Sequence, residues 1–340
     1  MGCYFKRTTV IAAPPEWSMG YYTPFGASFQ SDNYPVLADM EWDALTHIGF
    51  VGGTPQADGT IVLTDNFATA AAALISAAHS HGIKVLYTLG NEGGGSYDFT
   101  GAIDDHLSTF VTNIMATVDA YGFDGVDINY ESGWNVTSGT ALFPALRTAL
   151  GSKLLTSAAF VHVGGDYTDL HQYIDKINVM TYSLSGGGDN QSWFNAALYG
   201  PPSPGWQSVS IDLTMPRWVD EGIPIEKLGI GIPFYGILST GNGVTGPRQT
   251  LGSSFTEVEY AVIADTYDIG GATYDSEARV PWVAGGGGYV NWDNEESITE
   301  KINYVKANGY RAWIIWHVGS DYDPAGTPKH PLLEAVRLAR

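Results

Sequence analysis

Eight short apolar runs recur along the chain with helix-like segments between them, and this alternation restricts the fold more than any other feature. The runs lie at 19–22 (MGYY), 47–51 (HIGFV), 84–89 (KVLYTL), 125–131 (GVDINYE), 154–161 (LLTSAAFV), 176–182 (KINVMTY), 227–236 (KLGIGIPFYG) and 311–319 (RAWIIWHVG). Strands separated by helices build parallel βαβ units, and eight such strands can close on themselves. The intervening stretches, such as 66–82 and 104–122, carry apolar residues at helical spacing and end in glycine, a common C-terminal stop. The expected fold is an α/β (β/α)8 barrel, organised as one domain over 1–340. A doubly wound open sheet is the structural rival. The stretch 237–290, rich in Gly, Thr and Tyr, shows no helix of its own. It reads as a small insertion between strands 7 and 8, on the face where barrel loops carry chemistry.

Composition enters mainly to exclude. With 36 acidic against 16 basic residues, the net charge of −20 repels a phosphate backbone, so nucleic acid is not an expected partner. No apolar run approaches the roughly 18 residues of a membrane span, so no membrane association is expected. The lone Cys3 rules out an intramolecular disulfide. The start, MGCYFKRTTVIAA, has an apolar stretch too short for a signal-peptide core. The eight His are scattered, with no HExxH and no CxxC, so neither a metal nor another cofactor is expected. The runs GGGDN at 186–190 and GGGG at 285–288 lack the context of a phosphate cradle and read as flexible loops. Asn135-Val136-Thr137 and Asn190-Gln191-Ser192 fit the glycosylation sequon.

The chemistry concentrates in one strand, Asp124-Gly125-Val126-Asp127-Ile128-Asn129-Tyr130-Glu131. Side chains alternate along a strand, so Asp127, Asn129 and Glu131 share a face opposite Val126, Ile128 and Tyr130. That polar face belongs in the lumen, with Glu131 outermost, at the mouth where barrel enzymes work. A Glu beside Asp and Asn is expected to have a raised pKa, which suits a general acid. Asp124 has the opposite parity, and a structural job near the strand's start is expected of it.

FDGVDINYE resembles the DGxDxDxE signature of the family 18 glycoside hydrolases. LTHIGF at 45–50 is similar to that family's second strand, TLGN at 88–91 to its SxGG, and Met180-Thr181-Tyr182 to its MxYD. The segments 219–236 and 274–283 (YDSEARVPWV) are similar to chitinase-type members, rather than to endo-β-N-acetylglucosaminidases. The resemblance implies a retaining hydrolase of β-1,4-linked N-acetylglucosamine, in chitin or its oligosaccharides, acting by a substrate-assisted oxazolinium mechanism. It implies Glu131 as acid and then base, Asn129 orienting the acetamido group, Asp127 supporting from beneath, Tyr182 bonding the acetamido oxygen, and Trp316 as the sugar floor. A monomer at an extracellular location is expected. A weakened chitin-binding lectin, and a hydrolase of peptidoglycan or N-glycan cores, are the alternatives.

Three departures stand out: Asn129 and Ser183 replace an Asp of DGxDxDxE and of MxYD, and Asn91 replaces a Gly of SxGG. Aromatic rings stack on the apolar faces of sugars, and those at strand ends and in the following loops are candidates. They are Tyr21, Tyr22, Phe50, Tyr97, Trp134, Tyr235, Trp282 and Trp316, with Trp134 expected at the leaving-group subsite.

Overall fold

The computed structural model describes residues 16–24, 37–90, 97–184, 192–200, 209–249 and 254–340. Cys3, the leader-like start, Asn91, the glycine run at 186–190 and the second sequon's Asn190 lie outside these residues. Fourteen strands appear among them: β1 Trp17–Tyr22, β2 His47–Pro55, β3 Ile61–Leu63, β4 Lys84–Leu89, β5 Gly125–Asn129, β6 Leu154–Ala159, β7 Lys176–Val179, β8 Leu228–Pro233, β9 Tyr235–Thr240, β10 Ser254–Glu259, β11 Thr273–Asp275, β12 Val280–Gly285, β13 Gly288–Asn291 and β14 Ala312–Trp316. The helices are α1 Phe67–Ser80, α2 Phe99–Asp104, α3 Leu107–Tyr121, α4 Val136–Leu150, α5 Ile211–Asp220, α6 Tyr260–Thr266, α7 Glu295–Ala307 and α8 Pro331–Ala339.

Strands β1, β2, β4, β5, β6, β7, β8 and β14 pair in parallel in that cyclic order. The β1–β2 and β1–β14 pairings close the ring. The architecture is the (β/α)8 barrel, and the open-sheet rival is excluded by that closure. Short β3 folds back antiparallel on β2. Side chains that alternate outward from the strands meet the helices in one large apolar layer, including Ile48, Phe50, Val126, Ile128, Phe110, Ile114 and Leu142. Inward residues Met19, Tyr21, Val51, Ala158, Met180 and Ile314 fill the lumen. Burial of this apolar surface, at about 25 cal/mol per Å², drives the assembly. No helix among the described residues is long and apolar enough to cross a membrane.

The segment between the seventh and eighth barrel strands differs from the expected irregular excursion. The run 227–236 divides at Phe234 into barrel strand β8 and insertion strand β9. A five-stranded antiparallel sheet follows, ordered β10-β9-β13-β12-β11, and it carries the helix α6. Its alternating pattern is diluted by Gly and Thr, which hides short strands from a periodicity search. The glycines at 285–288 are likewise ordered. Gly285 pairs with Gly288 across β12 and β13, while Gly286 and Gly287 turn the hairpin at φ 62° and 78°. Two successive positive φ angles are what a tight hairpin of this kind requires, and glycine meets them without a Cβ clash. Opposite that turn, Arg248 forks onto Asp275 at 2.7 and 3.2 Å and reaches Glu277 at 2.8 Å, tying the loop to the β11–β12 end.

Candidate active site

The fourth barrel strand, β5, orients the site. Val126, Ile128 and Tyr130 face the helices, which leaves Asp127 and Asn129 to the lumen, as the period of two requires. Register then supplies the neighbours of Asp127. Thr88 on β4 and Thr156 on β6 stand directly opposite it, and both hydroxyls donate to its carboxylate, at 3.3 and 2.5 Å. Asp127 is fully buried, and that desolvation raises its carboxyl pKa to about 6 despite the hydroxyl donors. Asp124, on the other parity, accepts from the Val85 amide at 2.8 Å and from His79 Nε2 at 2.9 Å. It clamps the base of β5 to β4 and α1.

One strand residue further out, Asn129 Nδ2 donates to Glu131 Oε1 at 2.8 Å. A carboxylate only accepts, so this bond turns the amide nitrogen toward Glu131. The other end of the amide, Oδ1, is buried without a hydrogen-bond partner among the described residues. Glu131 itself is half-buried, just beyond the end of β5. Its pKa is raised by desolvation, while the Asn129 bond opposes the rise. The direction matches expectation and the cause does not: burial lifts the carboxyl, and its neighbour on the strand lowers it.

Glu131 and Asn129 open onto a cavity of about 190 Å³, whose other described lining residues are Tyr21, Ala158, Met180, Tyr182, Ser183, Tyr235, Glu257 and Trp316. Tyr21 rises from β1 and meets the Trp316 ring edge-on at 5.4 Å. Trp316 ends β14 opposite Pro233 of β8. Tyr182 follows β7, and its ring lies over Gly231 of β8, where an added Cβ would come within 2.5 Å of Cε1. Gly49 is a second such position: a Cβ there would meet Met19, Thr88 and Tyr21 within 2.8 Å. Small residues at these two places create the width that the inward tyrosines occupy. Ser183 sits at φ 53°, and its Oγ shares a 2.6 Å hydrogen bond with the Tyr235 hydroxyl. Asn195 holds both partners from behind, accepting from the Ser183 amide at 2.8 Å and donating to the Tyr235 carbonyl at 3.0 Å.

Five aromatics expected at the sugar take other places. Phe50 is fully buried between strand and helix, edge-on to Phe67 at 5.1 Å, because residue 50 has the outward parity on β2. Tyr22, also outward, stacks over Phe50 at 6.2 Å. Trp134 does not line the cavity: it stacks on Tyr167 at 5.3 Å, and its Nε1 donates to Asp166 at 2.6 Å, which holds it against the next loop. Trp282 packs edge-on against Tyr289 at 6.1 Å inside the insertion's own small core. Tyr97 acts on the backbone. Its hydroxyl donates to the Asn129 carbonyl at 3.2 Å and accepts from the Glu131 amide at 3.0 Å, so it pins the chain on both sides of Tyr130.

Met180, Ala158, Ser183 and Glu257 line the cavity without having been singled out as contacts. Met180 and Ser183 flank the Thr181-Tyr182 pair of a motif already noted, and Ala158 is the register partner of Asn129. Glu257 comes from β10 in the insertion. The alternation in SFTEVE was the only local signal for it. No group of three or more His, Cys, Asp or Glu among the described residues could hold a metal ion.

Comparison with known proteins gives consistent relatives. The model of the glycosyl hydrolases family 18 matches residues 18–321. A probable endochitinase of Caenorhabditis elegans is 28% identical over 291 residues, which cover 75% of this chain and 47% of that protein. An endochitinase of Manduca sexta is 23% identical over 97% of this chain and 67% of its own length. Thus the chain spans about half to two thirds of these relatives. Among solved structures, a group IV chitinase of Ostrinia furnacalis superposes with a TM-score of 0.80 at 21% identity, covering 95% of this chain and 99% of that one.

Proposed function

Because the chain belongs to the glycosyl hydrolases family 18, we propose that it is a chitinase-type glycosidase. In this reading it cleaves β-1,4-linked N-acetylglucosamine chains with retention of configuration. The observation that carries the reading is the Asn129 amide, which holds the acid with one end and leaves at the other a buried acceptor with no hydrogen-bond partner among the described residues. A buried acceptor without a partner costs free energy, and the 2-acetamido N–H of a bound sugar relieves that cost. The endochitinase relatives point to the same substrate class.

Chemistry follows from these positions. Glu131 acts in its protonated form, which desolvation favours, and gives its proton to the glycosidic oxygen as the bond from that oxygen to the anomeric carbon breaks. With its N–H held by Asn129 Oδ1, the acetamido group turns its carbonyl oxygen onto the same carbon, and an oxazolinium ion forms. The Tyr182 hydroxyl donates to the acetamido oxygen and fixes its approach. Glu131, now a carboxylate, takes a proton from water, whose oxygen opens the oxazolinium ring on the face the leaving group left. Two inversions give retention, and no enzyme nucleophile is needed. Asp127 acts from below by ordering the lumen beneath Asn129, and Trp316 offers an apolar face to the ring.

Cleavage of N-acetylglucosamine hexamer, followed by NMR of the newborn reducing ends, tests this reading. It expects β-anomers first. Glu131→Gln, which keeps the shape and removes the proton, should lower turnover by about 10²–10⁴-fold while oligosaccharide affinity persists. Retention of more than about a tenth of the turnover by Glu131→Gln would take the acid's role from Glu131. Binding of the hexamer with no cleavage by the parent would instead favour a lectin.

A further inference from the structure

Strand β5 stops at Asn129, two residues short of the acid, while the proposed chemistry needs Glu131 on the same face as Asn129. The neighbouring β4 stops sooner. The register of the two strands ends with Leu89 opposite Ile128, and the next amide, that of Gly90, turns to the Gly53 carbonyl of β2 at 3.0 Å. The Asn129 carbonyl still looks to the β4 side, since a Cβ added at Gly90 would lie 3.6 Å from its oxygen. In a parallel ladder, a residue bonds to the positions on either side of the one it faces. A further rung opposite Tyr130 therefore calls for a donor to the Asn129 carbonyl and an acceptor for the Glu131 amide.

The Tyr97 hydroxyl is both. It donates to the Asn129 carbonyl at 3.2 Å and accepts from the Glu131 amide at 3.0 Å, the pair of bonds that a strand residue makes with its backbone. A hydroxyl can do this from a single atom, because it carries a donor and two acceptor lone pairs. Burial raises the pKa of this hydroxyl, so the proton it donates stays in place at neutral pH. The segment that carries it is itself held. The Asp98 amide donates to the Pro55 carbonyl of β2 at 3.0 Å, and the Asp98 side chain accepts from the Gly101 amide at 2.7 Å to start α2. Next along, the Phe99 ring stacks on that of Tyr130 at 4.6 Å, and Thr100 Oγ meets the Tyr130 hydroxyl at 2.5 Å. Residues 97–100 thus grip the chain on both sides of the acid.

We propose that Tyr97 is the positioning residue of the acid: its hydroxyl serves as one more rung of the barrel ladder and carries the extended backbone out to Glu131. The inference rests on the proposed glycosidase reading. Extended backbone at Tyr130 keeps residues 129 and 131 on one face, which brings Glu131 Oε1 within 2.8 Å of Asn129 Nδ2. Asn129 has a second hold, its register with Ala158 on β6, so loss of the rung releases Glu131 and leaves the acetamido contact in place. A displaced acid delivers its proton badly, and a displacement of about 1 Å can cost about 10²-fold. Tyr97 acts through the backbone and moves no proton itself.

Tyr97→Phe keeps the ring, edge-on to Phe99 at 5.3 Å, and removes the rung. The test compares kcat/KM of parent and variant, as full chains, on two substrates. One is the N-acetylglucosamine hexamer, whose leaving sugar needs the proton. The other is the 2,4-dinitrophenyl glycoside of the dimer, whose leaving group departs as a stable anion without it. The hexamer value should fall by about 10–10²-fold, a part of the roughly 10²–10⁴-fold that a general acid supplies, while the dinitrophenyl value should stay within about threefold. Loss of folded protein lowers both values alike, so the quotient of the two falls reports the acid alone. An equal fall on both substrates, total loss included, makes Tyr97 a structural residue and overturns the proposal. A hexamer value within about threefold of the parent's overturns it too. In either case a parent active on the hexamer leaves the glycosidase reading standing. A parent that leaves the hexamer intact defeats that reading and the role of Tyr97 together.

Discussion

Replacing Asn129 with Asp probes the acid through its direct neighbour. In the parent, Asn129 Nδ2 lies 2.8 Å from Glu131 Oε1 and, by donating, favours the ionised acid. Asp removes the donor and adds a like charge, and both changes push the Glu131 pKa upward. Two unit charges about 4 Å apart at an effective dielectric of about 20 repel by about 4 kcal/mol, which bounds the rise at about 3 pH units. With solvent at the half-buried Glu131, we expect about 1–2 units. The two carboxyls will titrate as a coupled pair, so the shift belongs to the alkaline limb rather than to one residue. Turnover should also rise, by about tenfold. A carboxylate holding the acetamido N–H opposite a developing positive charge is worth about 1.4 kcal/mol more in the transition state than an amide. The assay is a pH–rate profile on a chromogenic N-acetylglucosamine dimer or trimer, for parent and Asn129→Asp. An alkaline limb that stays within about 0.3 unit of the parent's, together with unchanged kcat, would refute the reasoning.

The other predictions concern the lumen and the cavity floor. Asp127 has its pKa raised from 3.8 to about 6 by burial, so the folded state holds its proton longer than the unfolded one. Stability from this group is complete below about pH 4 and is lost as pH rises through 6, by about 3 kcal/mol in all. Asp127→Asn should remove that loss. Thermal unfolding of both proteins between pH 4 and 7 checks it, and parallel curves would refute it. Gly231→Ala places a methyl 2.5 Å from the Tyr182 ring, so we expect a cost of about 1–3 kcal/mol and a displaced Tyr182. Urea unfolding and kcat measured together would show both, and a variant as stable and as active as the parent would mean that the ring yields freely. Trp316→Ala should weaken oligosaccharide binding by about tenfold through lost stacking area. Unchanged affinity for a trimer in calorimetry would place the ring outside the sugar path.

What the sequence determined by itself were the features set by local periodicity. The strand–helix alternation implied parallel strands under helical cover, because each apolar strand needs cover on its outer face, while the choice of a closed barrel over an open sheet was settled by the β1–β2 and β1–β14 pairings. Parity along β5 sent Asp127 and Asn129 inward and Asp124 to a structural clamp, because successive side chains on any strand point in opposite directions. The insertion was visible as an interval and misread as irregular, since Gly and Thr dilute the alternation of its short strands. Tertiary structure decided the environments. Register between separate strands gave Asp127 its two threonine donors, and burial rather than its strand neighbours raised Glu131. Ring direction depends on packing partners distant in the chain, so Phe50, Tyr22, Trp134 and Trp282 turned to the helices, a loop and the insertion's core, while Tyr97 took the backbone at Glu131. Glu257 reached the cavity only because β10 pairs with β9, which leaves the barrel beside Tyr235. Which charges share a cavity is set by that long-range pairing, and no local pattern in the chain encodes it.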